Sequence, residues 1–105
     1  MTPVEQVLTR ARDLIGRADR WSQEALARDE HGNECKPEDD KATCFCMVGA
    51  LVRASAELHS QEAFHQGVKA LKAVCAPMPC FIFNDSHGHR DVVRVFDQAI
   101  AQVAA

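Results

Sequence analysis

The residues with the clearest chemical potential are two cysteines, Cys44 and Cys46, at the start of the most apolar stretch of the chain, ATCFCMVGAL. A thiol becomes a nucleophile when the exposed N–H groups of a helix start lower its pKa. If Thr43 capped a helix, Cys46 would lie in the first turn. The acidic residues 38–40 just upstream would oppose this effect, because nearby negative charge raises a thiol pKa.

A cysteine nucleophile also needs a general base within hydrogen-bond reach. His87 and His89 of the HGH motif are the natural choices, and Asp85 could orient either imidazole. This set predicts a cysteine-dependent hydrolase or transferase. The simpler interpretation is that Cys46 packs as a small apolar residue and that the two histidines are exposed in a loop. We favour the simpler one and lean against an enzyme.

The same cysteines offer a zinc site as a second alternative, with His31 and Cys35 as further ligands. Side chains two residues apart on a helix point about 200° apart, so Cys44 and Cys46 could converge only on an extended segment. The sequence has no C-x-x-C pair, which zinc knuckles and thioredoxin-type redox motifs use. We therefore expect no metal and no cofactor.

Composition limits the class of protein that could carry these residues. The chain has 105 residues, a net charge of −3 and scattered basic residues, which argues against nucleic-acid binding. Residues 42–52 form an uncharged apolar run of 11 residues, too short to cross a bilayer. There is no secretory signal, and the odd number of cysteines, 5, suits reduced thiols. We expect one cytoplasmic domain over residues 1–105, without membrane contact.

Helical periodicity predicts an all-α fold of four helices around a central buried helix. Helix 1 follows a capping box, with Thr2 as the cap and Pro3 at the first helical position, and it breaks near residues 18–22. Helix 2 covers about residues 40–59, and Gly49 in its middle would let another helix approach closely. Helix 3 follows Ser60 as its cap and ends at the APMP segment. Helix 4 covers about residues 89–103.

The remaining segments have weaker patterns. Residues 25–28 and 34–36 could pair as a small β-hairpin around a turn at residues 29–33, or the segment could be an irregular loop. Residues 80–83 are predicted to be extended or in a tight turn, followed by a loop. An Asn84–Asp85 pair is typical of turns and caps, and it could tie this loop to helix 2 or to Trp21 in a structural role.

Several short motifs together resemble a family of small bacterial proteins of unknown function: Trp21, ALARDEHG, ATCFCMVGAL, FND and VFDQAI. The aromatic–Cys–x–x–Gly–Ala and Asn–Asp motifs are typical of that family, although this chain has Phe45 and Phe83 where the family often has tryptophan. The resemblance singles out Cys46 rather than Cys44. It implies no activity.

The resemblance also implies that Trp21, Asp29, Cys46 and Asp85 come together in space. With Asn84 added, these are the predicted binding residues. We expect a binding or interaction module, either a homodimer or a module that binds another protein.

Overall fold

Five helices and a two-stranded sheet form the structure, a computed structural model that describes all residues, Met1–Ala105. The helices are α1 (Pro3–Leu14), α2 (Met47–Glu57), α3 (Gln61–Cys75), α4 (Cys80–Ser86) and α5 (His89–Ala104). The strands are β1 (Ala27–Arg28) and β2 (Cys44–Phe45), and a single 3-10 turn covers Ala18–Arg20. The mainly helical class is confirmed, but the predicted number of four helices is one too few. No helix combines the length and the apolar character needed to span a membrane.

Helices α1, α3 and α5 begin close to their predicted positions. The Thr2 hydroxyl accepts from the Glu5 N–H, and the Glu5 side chain accepts from the Thr2 N–H, so the predicted capping box of α1 is present. Ser60 caps α3 by accepting from the Ala63 N–H, as predicted. The apolar faces of α1, α2, α3 and α5 meet in one buried cluster of 18 residues.

The predicted hairpin is present as one bridge and not as two strands. Arg28 pairs with Glu34 in an isolated antiparallel bridge, and the Cys35 N–H donates to the Ala27 carbonyl at 3.1 Å. The strand partner of β1 is β2, on the other edge of β1, antiparallel, with Ala27 opposite Phe45. The physical reason why the two strands form on the β2 side is burial. Pairing with β2 places Phe45 in the core at 2% exposure, whereas Glu34 is exposed and pairing with it buries little apolar surface.

Helix α2 begins at Met47, later than the predicted start near Asp40. Because Cys44 and Phe45 are used in β2, the helix cannot extend through them, and the preceding segment forms turns. Arg53 holds that segment: one guanidinium nitrogen, Nη1, donates to the carbonyls of Pro37 (2.9 Å) and Asp39 (2.8 Å).

Gly49 permits a close approach, as predicted, but the partner is not a helix. A Cβ at this position would overlap the carbonyl oxygen of Leu26, in the segment that leads into β1. The same carbonyl accepts a hydrogen bond from the Cys46 N–H at 3.2 Å. Because Gly49 has no side chain, the backbone of Leu26 can pack directly against the backbone of the first turn of α2.

Helix α4 occupies the segment predicted to be extended and then a loop, and that prediction is wrong. Pro79 stands at its N-cap with φ of −60°, a value compatible with a helix start. Cys80 and Asn84, four residues apart, both point inward and are buried. One of the two buried residues of α4 is an asparagine, so the sequence of this helix does not show the apolar periodicity from which a helix is predicted.

Candidate functional site

A fully buried asparagine, Asn84, joins α4 to the start of α2 and to the segment before β1. Its Oδ1 accepts from Trp21 Nε1–H at 2.8 Å and from the Met47 N–H at 3.0 Å. Its Nδ2 donates to the Ser22 carbonyl at 3.0 Å and to Asp85 Oδ1 at 3.1 Å. Both ends of the amide are therefore fully used. Met47 is the first residue of α2, so Asn84 satisfies an N–H that the helix itself leaves free.

Asp85 extends this junction to the neighbouring loop. Its Oδ1 also accepts from the Glu24 N–H at 2.8 Å, and Glu24 has a left-handed backbone with φ of 64°. Gln23 Nε2 donates to the carbonyls of Asn84 and His87, both at 3.1 Å. The side chains of Trp21, Gln23, Asn84 and Asp85 thus link residues 21–24 to the last turn of α4.

Cys46 is the N-cap of α2, and its Sγ accepts from the Gly49 N–H at 3.3 Å. The side chain is buried, with 5% exposure. Burial raises the pKa of the thiol, and the charge of Asp85 raises it further, whereas the N–H groups of Gly49 and Val48 lower it. The net direction is upward from 9.0, so the thiol stays protonated at neutral pH and acts as a cap.

The two candidate bases are engaged elsewhere. The His87 ring stacks on Phe83 at 3.8 Å between centroids, and its Nδ1 lies 3.0 Å from the Phe83 carbonyl. His89 Nε2 lies 2.6 Å from the Ile15 carbonyl, and its ring packs against Trp21. Neither imidazole is hydrogen-bonded to the Cys46 thiol. The structure brings Cys46 and Asp85 together but adds no histidine to them.

The ligand set proposed for zinc does not converge. No group of three or more His, Cys, Asp or Glu side chains is placed to hold a metal ion. Cys44 Sγ lies 3.8 Å from the Arg28 carbonyl, and His31 Nε2 lies 3.4 Å from a Glu30 oxygen. Cys46 is occupied as the helix cap, and Cys35 lies on the opposite side of β1 from β2.

Asp29 has a local role. Its Oδ1 accepts from the N–H groups of His31 (2.9 Å) and Asn33 (3.0 Å), closing the turn that contains Gly32 at φ of 82°. These bonds, the one from Asn33 first, hold the pKa of the carboxyl below its ordinary value. Asp29 has no hydrogen bond to the Asn84 junction. Of the four residues that the resemblance groups, Trp21, Cys46 and Asp85 adjoin this junction.

Two clefts of similar volume lie away from the junction. One of about 410 Å³ lies between the end of α2 and the start of α3, and one of about 420 Å³ lies beside the Asp29 turn. Neither is lined by Cys46, Asn84 or Asp85. His87 lines a smaller cleft of about 250 Å³ with Phe83 and Asp91. The arrangement around Asn84 can hold three segments together.

The sequence prediction missed the surface of α4. Phe81 is 61% exposed and Ile82 is 45% exposed, the two residues that follow the buried Cys80. Leu26, also exposed at 49%, lies two residues beyond Glu24, which Asp85 holds. Pro79 before an apolar run was the one available signal for a helix here.

Comparison with known proteins identifies a family to which the sequence belongs. The model of the Family of unknown function (DUF6197) matches residues 1–102. No curated protein matches, and no solved structure matches.

Proposed function

The chain belongs to this family of unknown function, and from that premise we propose that it is a protein-interaction module. Its docking surface is the outer face of α4, which carries Phe81 and Ile82. The observation that carries the proposal is the inverted polarity of α4. Its asparagine is buried, and two of its three large apolar side chains, Phe81 and Ile82, face solvent.

This inversion supports binding because α4 is held firmly from the inside. The side chains of Asn84 and Asp85 together make hydrogen bonds to Trp21, to Met47 and to the backbone of Ser22 and Glu24. Large apolar side chains on a fixed support lose little conformational freedom when a partner covers them. Aromatic anchors of this kind dominate the binding energy of many protein interfaces.

The charge around the apolar residues indicates the chemistry of the partner. Asp85 lies on α4 and accepts from the Glu24 N–H, and both acidic residues are exposed. The chain as a whole carries a net charge of −3. We propose a partner protein that inserts an apolar side chain between basic residues, because such charges steer association with an acidic rim. The face of a seven-residue helix is small, which suits a transient interface.

Changing the surface of α4 tests the proposal. Phe81→Ser and Leu58→Ser each replace an exposed apolar residue, with 61% and 40% exposure respectively, but Leu58 follows α2 and is outside the docking surface. A partner recovered with wild-type protein from its native source, and then purified, should bind Leu58→Ser like wild type. It should bind Phe81→Ser at least ten-fold more weakly in calorimetry, with affinity falling as salt rises.

Equal binding by both variants would overturn the proposal. Concentration-dependent dimerisation in sedimentation, lost with Phe81→Ser, would instead identify a second copy of this chain as the partner. The bacterial source, the cytoplasmic location and the single domain over residues 1–105 remain predictions. The shared cluster of 18 buried residues supports the last of these.

A further inference from the structure

A cleft of about 350 Å³ lies between the end of α1 and the N-terminal half of α5. It is lined by five residues of α5 and one that follows α1: His89, Arg90, Val93, Arg94, Asp97 and Gly16. Neither apolar residue of the docking surface lines it, and no side chain that bonds to Asn84 does so. The cleft is therefore separate from the docking surface and from the junction.

The one carboxylate that lines this cleft is already neutralised. Asp97 Oδ1 accepts from Arg12 Nε at 2.9 Å, which forms an ion pair between α5 and α1. Arg12 itself does not line the cleft. Because Asp97 is matched by this arginine, it does not balance the positive charge that the cleft also contains.

That positive charge comes from two arginines without a close carboxylate. Arg90 forms no ion pair, and Arg94 Nη1 lies 4.0 Å from Asp91 Oδ1, which is beyond hydrogen-bond length. The two arginines are four residues apart on one helix, so their side chains extend from the same face and repel each other. An anion between them would remove that repulsion, even though the chain has a net charge of −3.

We propose that this cleft binds the dianion of a small, hydroxylated phosphate monoester. Each guanidinium is a planar fork of donors that matches two phosphate oxygens, so Arg90 and Arg94 can share one phosphate group. His89 Nε2 lies 2.6 Å from the Ile15 carbonyl, which can only accept, so this nitrogen carries the proton. The other ring nitrogen, Nδ1, is then left to accept from a hydroxyl group of the ligand.

The size and the lining of the cleft limit the ligand to a small molecule. A volume of about 350 Å³ is at the low end of the range for small-molecule sites. Val93 is the only apolar residue in the lining, so the part of the ligand beyond the phosphate is polar. A nucleic-acid backbone would need a continuous row of cations, and Asp91 and Asp97 interrupt such a row on α5.

Titration of the whole isotope-labelled protein with glycerol phosphate, followed by the amide signals in NMR, tests the site. We expect saturable shifts confined to the residues that line the cleft, with a Kd of about 1 mM. The double variant Arg90→Gln/Arg94→Gln should bind about ten-fold more weakly. The control Lys69→Gln/Lys72→Gln removes the same charge from α3, outside the cleft, and should bind like wild type.

A second double variant, Arg90→Lys/Arg94→Lys, keeps both charges but loses the forks, so its affinity should be intermediate. Wild-type affinity in this variant would contradict the proposal, because attraction by charge alone would then explain the binding. Equal losses in the glutamine variant and in the Lys69→Gln/Lys72→Gln control would overturn it, and so would the absence of saturable shifts. Tighter binding of a phosphoserine tripeptide than of glycerol phosphate would overturn the assignment to a small ester.

Discussion

At the scale of single residues, Asn84 determines the junction. The sequence pattern allowed two roles for the Asn–Asp pair, a turn former or a structural tie to helix 2 and Trp21, and the structure has the second one. The pair could be recognised from the sequence because of its residue types. Its partners could not, since Trp21 and Met47 lie far away in the chain and only the folded backbone brings them together.

Asn84→Asp tests whether both ends of the amide matter. The introduced carboxylate can still accept from Trp21 and Met47, but it cannot donate to the Ser22 carbonyl or to Asp85. We expect a loss of about 3 kcal/mol in the free energy of unfolding at pH 7.5. Burial and the charge of Asp85 should raise the pKa of the new carboxyl in the folded state. Stability lost at neutral pH should therefore be regained as the pH falls.

Urea unfolding at pH 7.5 and pH 4.5 measures this effect. Asn84→Leu is the control, because it removes all four hydrogen bonds and has no titrating group. The deficit of Asn84→Asp relative to wild type should shrink at the lower pH, while that of Asn84→Leu stays constant. An equal deficit for Asn84→Asp at both pH values would mean that the pKa of the introduced carboxyl is not raised in the folded state, so a buried charge is not the source of the loss.

At the scale of elements, helix length separates the predictions that succeeded from those that failed. α1, α3 and α5 are 12, 15 and 16 residues long, with local caps or breaks that a sequence displays. β2 has 2 residues and α4 has 7, and both depend on contacts with distant segments. The start of α2 was misplaced for the same reason, since β2 uses the residues just before it.

Arg53 gives the irregular segment before β2 its fixed shape. Besides its bonds to Pro37 and Asp39, its Nε donates to Glu57 at 3.1 Å, and its guanidinium lies 5.8 Å from the Phe45 ring centroid. A lysine offers one point charge and cannot reproduce this set of directions. We expect Arg53→Lys to cost about 1–2 kcal/mol locally, which corresponds to roughly ten-fold more frequent opening of the segment.

Limited trypsin digestion reports that opening, because Lys41 lies in the segment and is exposed. Cleavage after Lys41 should be several-fold faster in Arg53→Lys than in wild type. Arg10→Lys is the control, since Arg10 also donates to Glu57, at 3.0 Å, but contacts nothing in the segment. Similar acceleration in both variants would assign the effect to Glu57 and not to the bonds with Pro37 and Asp39.

At the scale of the whole molecule, burial of thiols should govern stability in alkali. The pKa of four cysteines is raised, chiefly by burial: Cys35, Cys46, Cys75 and Cys80. The chain has no tyrosine, so no phenol ionises in the same range. An odd count of cysteines could be read from the sequence, but not which of them are enclosed, because enclosure depends on how α3 and α4 meet.

The sign of the effect follows from linkage. A thiol with a raised folded pKa ionises first in the unfolded chain, so unfolding releases protons above pH 9. Its contribution is complete below about pH 9 and, for Cys75, is lost as the pH approaches about 12. The free energy of unfolding of the reduced wild type should therefore fall between pH 9 and pH 10.5, as measured by urea unfolding with a reductant present.

The variant Cys75→Ala should show a shallower fall than Val74→Ala, which makes a neighbouring cavity but keeps the thiol of Cys75. Parallel slopes in the two variants would show that Cys75 ionises alike in the folded and unfolded chain.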